Sequence, residues 1–269
     1  MPPAMTELEA FTVDLAREAA RVSLPFFRSV FAQEDKGTGG VFDPVTEADR
    51  AAEAAIRRLI TARYPGHGVI GEEYGADRPE AEHVWVLDPI DGTRAFIAGL
   101  PVWTCLIALR HAGQPRIGTI AQPYLDEIFV GGPSGARLLK GRTETPLRTR
   151  SCAGLDQALI ATTDPDLFTP AEREAWVRLR AGARLARLGC DAYAYAMVAA
   201  GTIDLVAESD LKIWDWSALV PVIEAAGGRV TDWHGETPND SGQILAVGDA
   251  GLQAPALSAL SPAALARSV

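Results

Sequence analysis

The sequence from Val84 to Thr93 reads VWVLDPIDGT, a short apolar run followed by two acids. The four leading apolar residues predict a buried β-strand. Pro89 restricts Asp88 to an extended conformation and prevents a helix from starting too early. The Gly-Thr pair that ends the stretch offers backbone N–H groups at a helix start, where an anion such as phosphate can bind. The stretch therefore predicts that Asp88 and Asp91 are fixed at the end of a strand.

Three further acidic segments lie where predicted elements begin or end. Asp49 begins a helix, the pair Glu72–Glu73 follows an apolar run, and Asp215 begins another helix. Taken singly, each has a simpler explanation, because Asp caps helices, Glu pairs occur in solvated turns, and Asp-Pro-x-Asp-Gly is itself a turn sequence. Four such acidic segments beside apolar runs instead favour a cluster of carboxylates, which are ligands that Mg²⁺ prefers.

The first half of the chain combines helices with a β-rich middle. Apolar side chains between residues 6 and 31 recur at helical spacing, with an interruption at Pro25. The polar stretch Gln33–Gly40 predicts irregular structure. Thr46 is a candidate N-cap for a helix that continues to about Tyr64. Strands are predicted at 68–71, 84–87, 103–109 and 117–120, with further β structure at 129–130 and 137–139.

The second half alternates strands with helices, and Pro146–Gly154 is the expected seam between the halves. Strands are predicted at 158–162, 203–207, 229–231 and 244–247, and helices at 170–181, 191–200, 215–226 and from 255 onward. The pattern predicts an α+β protein. Residues 1–147 would form a mixed α+β domain that carries most of the acids, and residues 148–269 an α/β domain.

Composition and charge narrow the function classes. The net charge of −10, from 35 acids and 25 bases, argues against a nucleic-acid binder, which neutralises phosphates with Lys and Arg. No apolar stretch approaches the roughly 20 residues that cross a bilayer, and no signal-peptide pattern opens the chain. We therefore expect a soluble cytoplasmic protein without a membrane or nucleic-acid partner. The three cysteines form no zinc or disulfide pattern and are interpreted as small core residues.

Four motifs together resemble the inositol monophosphatase-like family: VTEAD at 45–49, GEE at 71–73, WVLDPIDGT at 85–93 and WD at 214–215. Their order and rough spacing agree over nearly the whole chain. The resemblance implies a layered αβαβα sugar-phosphatase-like fold. It also implies Mg²⁺-dependent hydrolysis of a small phosphate monoester without a phosphoenzyme. A bound dication explains how so acidic a protein would take an anionic substrate.

The metal ligands follow from the same resemblance. Glu72, Asp88 and the backbone carbonyl of Ile90 would hold a first Mg²⁺ ion. Asp88, Asp91 and Asp215 would hold a second ion. Such ions lower the pKa of water and neutralise the charge that spreads over the phosphoryl oxygens.

The resemblance also implies the catalytic and phosphate-binding residues. Thr93, hydrogen-bonded to Asp49, would position or deprotonate the attacking water, and Asp49 would support a further metal or its waters. Glu72 would be both a metal ligand and a catalytic carboxylate. Asp91, Gly92 and Thr93 would contact the phosphate.

The segment Arg187–Tyr195, RLGCDAYAY, is similar to the histidinol-phosphate phosphatase branch, which places an acid and tyrosines after the glycine. Histidinol carries an amine and an imidazole that can both be cationic near neutral pH. An anionic pocket of Asp191 and Glu208 would therefore favour it over a neutral polyol. Asp191 could instead cap the following helix. Arg94 and Arg187 are candidates for phosphate or substrate contacts, or for surface ion pairs.

Several alternatives stay open at this level. An inositol-1-monophosphatase or a broad sugar or polyol phosphatase is the runner-up enzyme. A metal-binding regulatory protein without turnover would not need Thr93. The family often forms homodimers, so the resemblance implies a homodimer. A lysine commonly precedes the Asp49 motif in the family, and Lys36 is the candidate, although the sequence leaves the register of residues 33–42 open.

Overall fold

The computed structural model describes residues 4–29, 33–35 and 44–266. The helices are α1 (Met5–Ser23), α2 (Glu47–Arg63), α3 (Thr93–Ile97), α4 (Pro170–Ala181), α5 (Asp191–Ala199), α6 (Ile213–Trp216), α7 (Leu219–Ala225) and α8 (Gln253–Leu260). The strands are β1 (Gln33–Asp35), β2 (Pro44–Thr46), β3 (Gly68–Gly71), β4 (Gly75–Asp77), β5 (His83–Asp91), β6 (Thr104–His111), β7 (Gln114–Gln122), β8 (Glu127–Gly132), β9 (Gly135–Lys140), β10 (Thr143–Pro146), β11 (Leu159–Thr162), β12 (Leu185–Leu188), β13 (Leu205–Glu208), β14 (Arg229–Thr231) and β15 (Ile244–Val247).

Two large sheets form the framework. Strands β3 to β10 form an eight-stranded sheet in the order β10-β9-β8-β7-β6-β5-β3-β4, and β11 to β15 form a five-stranded sheet in the order β12-β11-β13-β15-β14. In the larger sheet only the β3–β5 pair, among the described strands, is parallel. In the smaller sheet β11 is parallel to β12 and β13, and the other pairs are antiparallel. The mixed sheets confirm the predicted α+β class.

The side chains of β5 alternate between two apolar layers, as the period of a strand requires. Trp85 and Leu87 pack with α1 and α2 on the outer face of the larger sheet. Val84 and Val86 pack on the inner face with α5 and α7, which also contact the smaller sheet. Helices α4 and α8 cover the far face of that sheet. The layer order is helix, sheet, helix, sheet, helix, which confirms the predicted αβαβα architecture.

Helix α7 joins the two halves of the chain by a close backbone approach. A Cβ atom on Gly118 of β7 would lie 2.1 Å from the carbonyl oxygen of Ala218, and one on Gly131 of β8 would lie 2.3 Å from the Cα atom of Val222. Glycine at these two positions lets the helix lie directly on the sheet. The halves therefore share one buried core, and their division at residue 147 into two domains stays a prediction.

The structure corrects two predictions in the first half. Gln33–Asp35 was expected to be irregular, but it pairs antiparallel with Pro44–Thr46. The rest of that stretch, with Lys36, lies outside the described residues. The strand predicted at 84–87 is longer and continues through Asp91, so both acids of the VWVLDPIDGT stretch belong to β5.

The helix predicted at 215–226 is two helices, α6 and α7. Pro221 has no N–H group, so a continuous helix would lose a hydrogen bond there. In the first turn of a new helix a residue's backbone N–H has no partner within the helix, so proline loses no hydrogen bond at that position. Asp215 is consequently the third residue of α6 rather than the first of a long helix. Among the described helices, none has both the length and the apolar character needed to cross a membrane.

Candidate active site

A β-bulge in β5 brings the two acids of the VWVLDPIDGT stretch together. Asp88 pairs with Leu106 and Asp91 pairs with Thr104 of β6, so the register shifts by one residue between the two pairs. Residues three apart in a regular strand point to opposite faces. The extra residue of a bulge reverses that relation. The Asp88 carboxylate also accepts the backbone N–H of Ile90 at 3.1 Å, which holds the irregular segment.

A carboxylate from the second half completes an acidic cluster of Asp88, Asp91 and Asp215. One carboxylate oxygen of each residue lies within 4.8 Å of those of the other two. Asp215 is held in place because its carboxylate accepts the backbone N–H of Lys212 at 2.6 Å. Burial raises the pKa of Asp88 well above its usual value, and the neighbouring carboxylates, Glu72 foremost, raise it further.

The acidic cluster fits a divalent cation. Its side-chain donors are carboxylate oxygens, the ligand type of hard cations such as Mg²⁺. Burial also raises the pKa of Asp91, and the negative charges of Asp191 and Asp215 add to the effect. The neighbouring charges that raise the pKa of Asp88 and Asp91 are thus all carboxylates. A bound dication would offset this mutual repulsion.

Glu72 follows β3 beside the acidic cluster. Its backbone N–H donates to the carbonyl of Leu87 at 3.2 Å, which extends the pairing of β3 with β5 by one residue. Its carboxylate has the largest charge effect on the pKa of Asp88. The structure therefore brings this predicted metal ligand to the same end of the sheet, although its oxygens are not among the three that lie within 4.8 Å.

Glu53 of α2 holds the turn that follows Glu72, and sequence analysis missed it. The side chain is fully buried and accepts the N–H groups of Glu73 and Tyr74 at 2.8 and 3.2 Å. A Cβ on Gly71 would lie 2.1 Å from a Glu53 carboxylate oxygen, so a side chain there would displace this carboxylate. The sequence signal, an acid four residues before an arginine on a helix, predicts an ordinary ion pair.

Thr93 begins α3 directly after Gly92. Gly92 has a φ of 81°, a left-handed conformation that suits glycine. The Thr93 hydroxyl donates to the carbonyl of Ile90 at 3.1 Å. Asp49 is buried in α2, and its charge contributes to the raised pKa of Asp88. Asp49 thus lies near Asp88, and Thr93 is bonded to the segment between Asp88 and Asp91. Their catalytic roles and the Thr93–Asp49 hydrogen bond stay predictions.

Helix α5 brings Asp191 against the Gly-Thr turn. The N–H of Ala192 donates to the Asp91 carboxylate at 2.8 Å, across 101 positions of sequence. A Cβ on Gly92 would lie 2.9 Å from an Asp191 carboxylate oxygen. Asp191 is the first residue of α5, and the N-cap is Cys190, without a side-chain capping bond. No capping hydrogen bond of the Asp191 carboxylate to an N–H of α5 is found among the described residues, so the structure does not support its interpretation as a helix cap.

The two predicted arginines have different surroundings. Arg94 is half-exposed and forms an ion pair with Asp164 at 3.6 Å. Burial raises the pKa of Asp191 to about 6, and the nearby Arg94 lowers it. Arg187 lies exposed on β12, at the edge of the smaller sheet. Arg94 thus lies beside the predicted substrate residue, whereas Arg187 is placed on an exposed edge strand.

Glu208 is buried at the end of β13 and held by three hydrogen bonds. Its carboxylate accepts the backbone N–H and hydroxyl of Thr163 at 2.6 and 2.8 Å, and the hydroxyl of Thr162 at 3.2 Å. Burial raises the pKa of Glu208 to about 8, an effect to which the charge of Asp191 adds. Burial thus favours the neutral form of Glu208, whereas its three hydrogen bonds favour the anion that the sequence predicts.

The hydroxyl of Tyr195 is a further polar group near the acidic cluster. The residue is 2% exposed, and its hydroxyl has no hydrogen-bond partner within the described parts of the chain. Burial raises its pKa well above the usual value, and Glu208 and Asp91 add to this effect. Tyr193, two residues earlier, donates instead to Glu127 at 2.8 Å. The sequence offered both tyrosines without distinguishing them.

Five alternating layers with a partly buried acidic cluster at the end of β5 are the architecture of the layered sugar-phosphatase fold. The model of the inositol monophosphatase family matches residues 4–265. The chain belongs to this family, and the resemblance carried by the four acidic motifs is confirmed.

Curated relatives differ in the activity that their names state. The chain is 41% identical to the chloroplastic bifunctional phosphatase IMPL2 of Arabidopsis thaliana, over 95% of this chain and 76% of the relative. It is 32% identical to a histidinol-phosphatase of Chlorobaculum parvum, over 90% and 92%. It is 35% identical to an inositol-1-monophosphatase of Mesorhizobium japonicum, over 78% and 79%.

Solved structures agree with the family. An inositol monophosphatase from Zymomonas mobilis superposes with a TM-score of 0.86 at 40% identity, covering 96% of this chain and 99% of the other. The suppressor protein SuhB from Bartonella henselae superposes with a TM-score of 0.85 at 29% identity, covering 94% and 98%. Histidinol and inositol phosphatases match at similar identities, so identity alone does not separate the substrates.

Proposed function

We propose that the chain hydrolyses L-histidinol phosphate to L-histidinol and phosphate, with Mg²⁺ as cofactor, in histidine biosynthesis. The observation that carries the proposal is the contact of Asp191 with Gly92, the residue before the predicted phosphate-binding Thr93. An acid at this point would meet the part of the substrate that lies next to the phosphate. The coarser activity, phosphate release by a member of the inositol monophosphatase family, does not depend on this choice of substrate.

The metal ligands would be the acidic cluster of Asp88, Asp91 and Asp215, with Glu72 and the carbonyl of Ile90. The short distances within the cluster and the raised pKa of Asp88 support this set. When bound, Mg²⁺ would neutralise phosphoryl charge and favour ionisation of water at neutral pH.

The chain itself would bind the phosphate and orient the attacking water. Backbone N–H groups of Gly92 and Thr93, at the start of α3, would donate to phosphate oxygens. The Thr93 hydroxyl and the Asp49 carboxylate would orient the water whose oxygen attacks phosphorus. As that bond forms, the ester P–O bond breaks; the water would give up one proton and the departing alkoxide would take up one, so that the protons balance. No covalent nucleophile is involved.

Asp191 would select the cationic substrate. With a pKa of about 6 it is mostly ionised at pH 7, so it would accept charge-assisted hydrogen bonds from the ammonium or imidazolium of histidinol. Glu208, near Asp191, would regain its charge when a cation binds, because a nearby positive charge lowers a carboxyl pKa. Arg94 would partly neutralise the charge of Asp191 and contact the phosphate group of the substrate. Arg187 would contact the substrate only if the substrate extended as far as β12.

The alternative is an inositol 1-phosphate or broad sugar or polyol phosphatase. One observation favours it: Glu208 is buried beside Thr163, with which it shares two hydrogen bonds, and burial raises its pKa to about 8, which favours the neutral form. A neutral carboxyl can donate and accept hydrogen bonds, which suits a polyol hydroxyl. The two proposals therefore differ in the charge state of the pocket.

We also propose that the chain forms a homodimer, because members of the family often do, and that it is cytoplasmic, as its composition suggests. Light scattering coupled to size exclusion would measure the mass of the particle. A particle of one chain, 28.6 kDa, would overturn the dimer and leave the activity untouched.

The deciding experiment compares phosphate release from histidinol phosphate and inositol 1-phosphate in Mg²⁺, for the parent chain and for Asp191→Asn. Asp191 has a φ of 43°, and asparagine tolerates that left-handed conformation. We expect the variant to lose at least about tenfold in kcat/KM for histidinol phosphate, the magnitude of one lost charge-assisted contact. Its kcat/KM for inositol 1-phosphate should be unchanged or raised.

Asp126→Asn is the matched control, since Asp126 also has a left-handed φ, 55°, and lies exposed at the β7–β8 connection. The control should keep the parent ratio of the two substrates. Equal loss with both substrates in Asp191→Asn would remove the selective role of Asp191. A parent preference for inositol 1-phosphate would favour the alternative.

A further inference from the structure

The first turn of α5 carries Asp191 and the N–H group of Ala192 that donates to Asp91. Asp191 has a φ of 43°, a left-handed conformation that is disfavoured for most residues with a side chain. The N-cap residue, Cys190, makes no side-chain capping bond. A residue keeps a strained backbone only where the surrounding structure imposes it. Contacts from outside α5 must therefore hold this turn in place.

The side chain of Tyr193 supplies such a contact. Its hydroxyl donates to the Glu127 carboxylate at 2.8 Å, across 66 positions of sequence. Its ring packs edge-on against Phe129 of the same strand, β8, with centroids 6.2 Å apart. Burial raises the pKa of Tyr193, and the hydrogen bond to Glu127 raises it further, so the hydroxyl stays protonated near neutral pH. The larger sheet thus holds α5 two residues after Asp191.

Glu127 has a fixed position on the sheet. It begins β8 and lies directly opposite Lys140 of β9. One oxygen of its carboxylate accepts the Lys140 ammonium at 2.9 Å, and the other accepts the Tyr193 hydroxyl. Most of the Glu127 side chain is buried. Because a cross-strand ion pair favours one arrangement of the two side chains, the acceptor for Tyr193 is held in place before α5 packs on it.

We propose that Tyr193 and Glu127 are positioning residues that place the Asp191 carboxylate for selection of the cationic substrate. The inference rests on the proposed role of Asp191 in that selection. Tyr193 and Glu127 need not contact the substrate, since they act through the backbone of α5. A small displacement of Asp191 would matter because a hydrogen bond weakens steeply when its distance and angle depart from the optimum.

Asp91 depends less on this contact than Asp191 does. It lies on β5, pairs with Thr104 of β6 and accepts the Thr104 hydroxyl at 3.3 Å. Within the described parts of the chain, no hydrogen bond of the Asp191 carboxylate is found. Loss of the Tyr193 hydroxyl should therefore displace Asp191 and leave the acidic cluster in place. The effect belongs in the KM of the substrate rather than in the Mg²⁺ requirement.

The test is a double-mutant cycle of Tyr193→Phe and Asp191→Asn, followed by phosphate release in Mg²⁺. Tyr193→Phe keeps the ring and removes only the hydroxyl. We expect it to lower kcat/KM for histidinol phosphate about fivefold, mainly through KM, in line with one hydrogen bond. Its Mg²⁺ half-saturation and its kcat/KM for inositol 1-phosphate should stay at the parent values. In the Asp191→Asn background the same change should have less than about a twofold effect.

Variants of Glu127 test the other end of the hydrogen bond. Glu127→Ala removes the acceptor and should match Tyr193→Phe. Glu127→Gln keeps an acceptor oxygen and should retain kcat/KM within about twofold of the parent. Tyr64→Phe is the matched control, because the Tyr64 hydroxyl also donates to a glutamate, Glu7 at 3.1 Å, but connects α1 with the end of α2. It should leave the ratio of the two substrates unchanged.

A loss in Tyr193→Phe that disappears in the Asp191→Asn background, with Glu127→Gln close to the parent, supports the positioning role. An unchanged kcat/KM in Tyr193→Phe would overturn it, as would an equal loss in both backgrounds or with both substrates, or a raised Mg²⁺ half-saturation. Those results leave the proposed substrate intact. A parent that prefers inositol 1-phosphate, or an Asp191→Asn variant without effect, would overturn the proposed function and the positioning role together.

Discussion

At Asp88, burial and neighbouring negative charges act in the same direction. The residue is 2% exposed, and Glu72, Asp91 and Asp215 raise its pKa together with burial. Repulsion between these carboxylates destabilises the folded protein when no metal is bound. A bound dication would instead be attracted by their negative charges. Stability and activity should therefore respond to Asp88→Asn with opposite signs.

We expect Asp88→Asn to lose at least about 100-fold in kcat with Mg²⁺, because a lost ligand removes several kcal/mol of charge stabilisation. In a chelator, the same variant should unfold about 2–4 °C higher, which corresponds to relief of about 1 kcal/mol. Phosphate release and thermal unfolding measure the two effects. An Asp88→Asn variant that retains full activity would contradict the metal role of Asp88.

We expect His67 to make the stability of the fold depend on pH. Its ring stacks on Tyr64 and His83, with centroids 4.7 and 4.8 Å apart, and its Nδ1 atom accepts the indole N–H of buried Trp85 at 3.1 Å. Burial lowers the pKa of His67 to about 4, and the nearby His83 adds to the effect. A protonated Nδ1 could not accept this hydrogen bond.

Below pH 6.5 His67 is protonated in the unfolded chain, whereas in the folded chain it stays neutral down to about pH 4. Because the unfolded state binds the extra proton, the free energy of unfolding falls as pH falls through this window. His67→Gln keeps an acceptor without this titration, and should reduce the loss by about 1 kcal/mol, a value discounted for the partly exposed ring. Denaturant unfolding at pH 7 and pH 4.5 measures it. Equal pH slopes for parent and variant would contradict the assignment.

At the scale of elements, the contact of α2 with the β3–β4 turn positions Glu72. Glu53 accepts two backbone N–H groups of that turn and the Arg57 guanidinium at 2.7 Å. Glu53→Gln places an amide where carboxylate oxygens are needed. We expect a loss of about 1–3 kcal/mol of stability and a Mg²⁺ half-saturation about 10–100-fold higher. The value of kcat at saturating Mg²⁺ should change little.

Glu18→Gln is the control, because Glu18 pairs with Arg21 at 2.7 Å on the surface of α1. It removes the same charge from a helix and should affect neither the Mg²⁺ requirement nor the unfolding temperature measurably. If Glu53→Gln lowered kcat without changing the Mg²⁺ half-saturation, Glu53 would not act through Glu72.

For the whole molecule, the packing of α7 on the larger sheet joins both halves of the site. A Cβ on Gly131 would lie 2.3 Å from the Cα of Val222 and 2.4 Å from the carbonyl oxygen of Pro221. Backbone atoms cannot rotate away, so α7 must move. Gly131→Ala should lower the unfolding temperature by about 5–10 °C, for about 2–3 kcal/mol, and activity should fall because Asp215 lies on the adjoining α6.

Gly66→Ala is the matched control, since within the described structure a Cβ at Gly66 meets nothing within 4 Å. Its unfolding temperature should stay within about 1 °C of the parent. Scanning calorimetry measures both variants. A Gly131→Ala protein as stable as the parent would mean that the two halves do not depend on this close approach.

The residue pattern alone determined the class of the protein and the position of most of its acids. Helical spacing predicted α1 and α2, alternation and apolar runs predicted the strands, and the VWVLDPIDGT stretch predicted acids at the end of β5. These features depend on neighbours a few positions apart, through backbone preferences and the periods of helix and strand. For the same reason the motifs that carry the family were readable from the sequence.

Only the tertiary structure decided how these residues meet. The bulge between Asp88 and Asp91 depends on pairing with β6, and the support of Glu72 by Glu53 depends on α2 packing. The contact of Asp191 with Gly92 joins segments about 100 positions apart. Such contacts are selected by the packing of the whole chain, because each segment alone leaves them undetermined. The position of Asp191, on which the proposed choice of substrate depends, is therefore a property of the assembled layers.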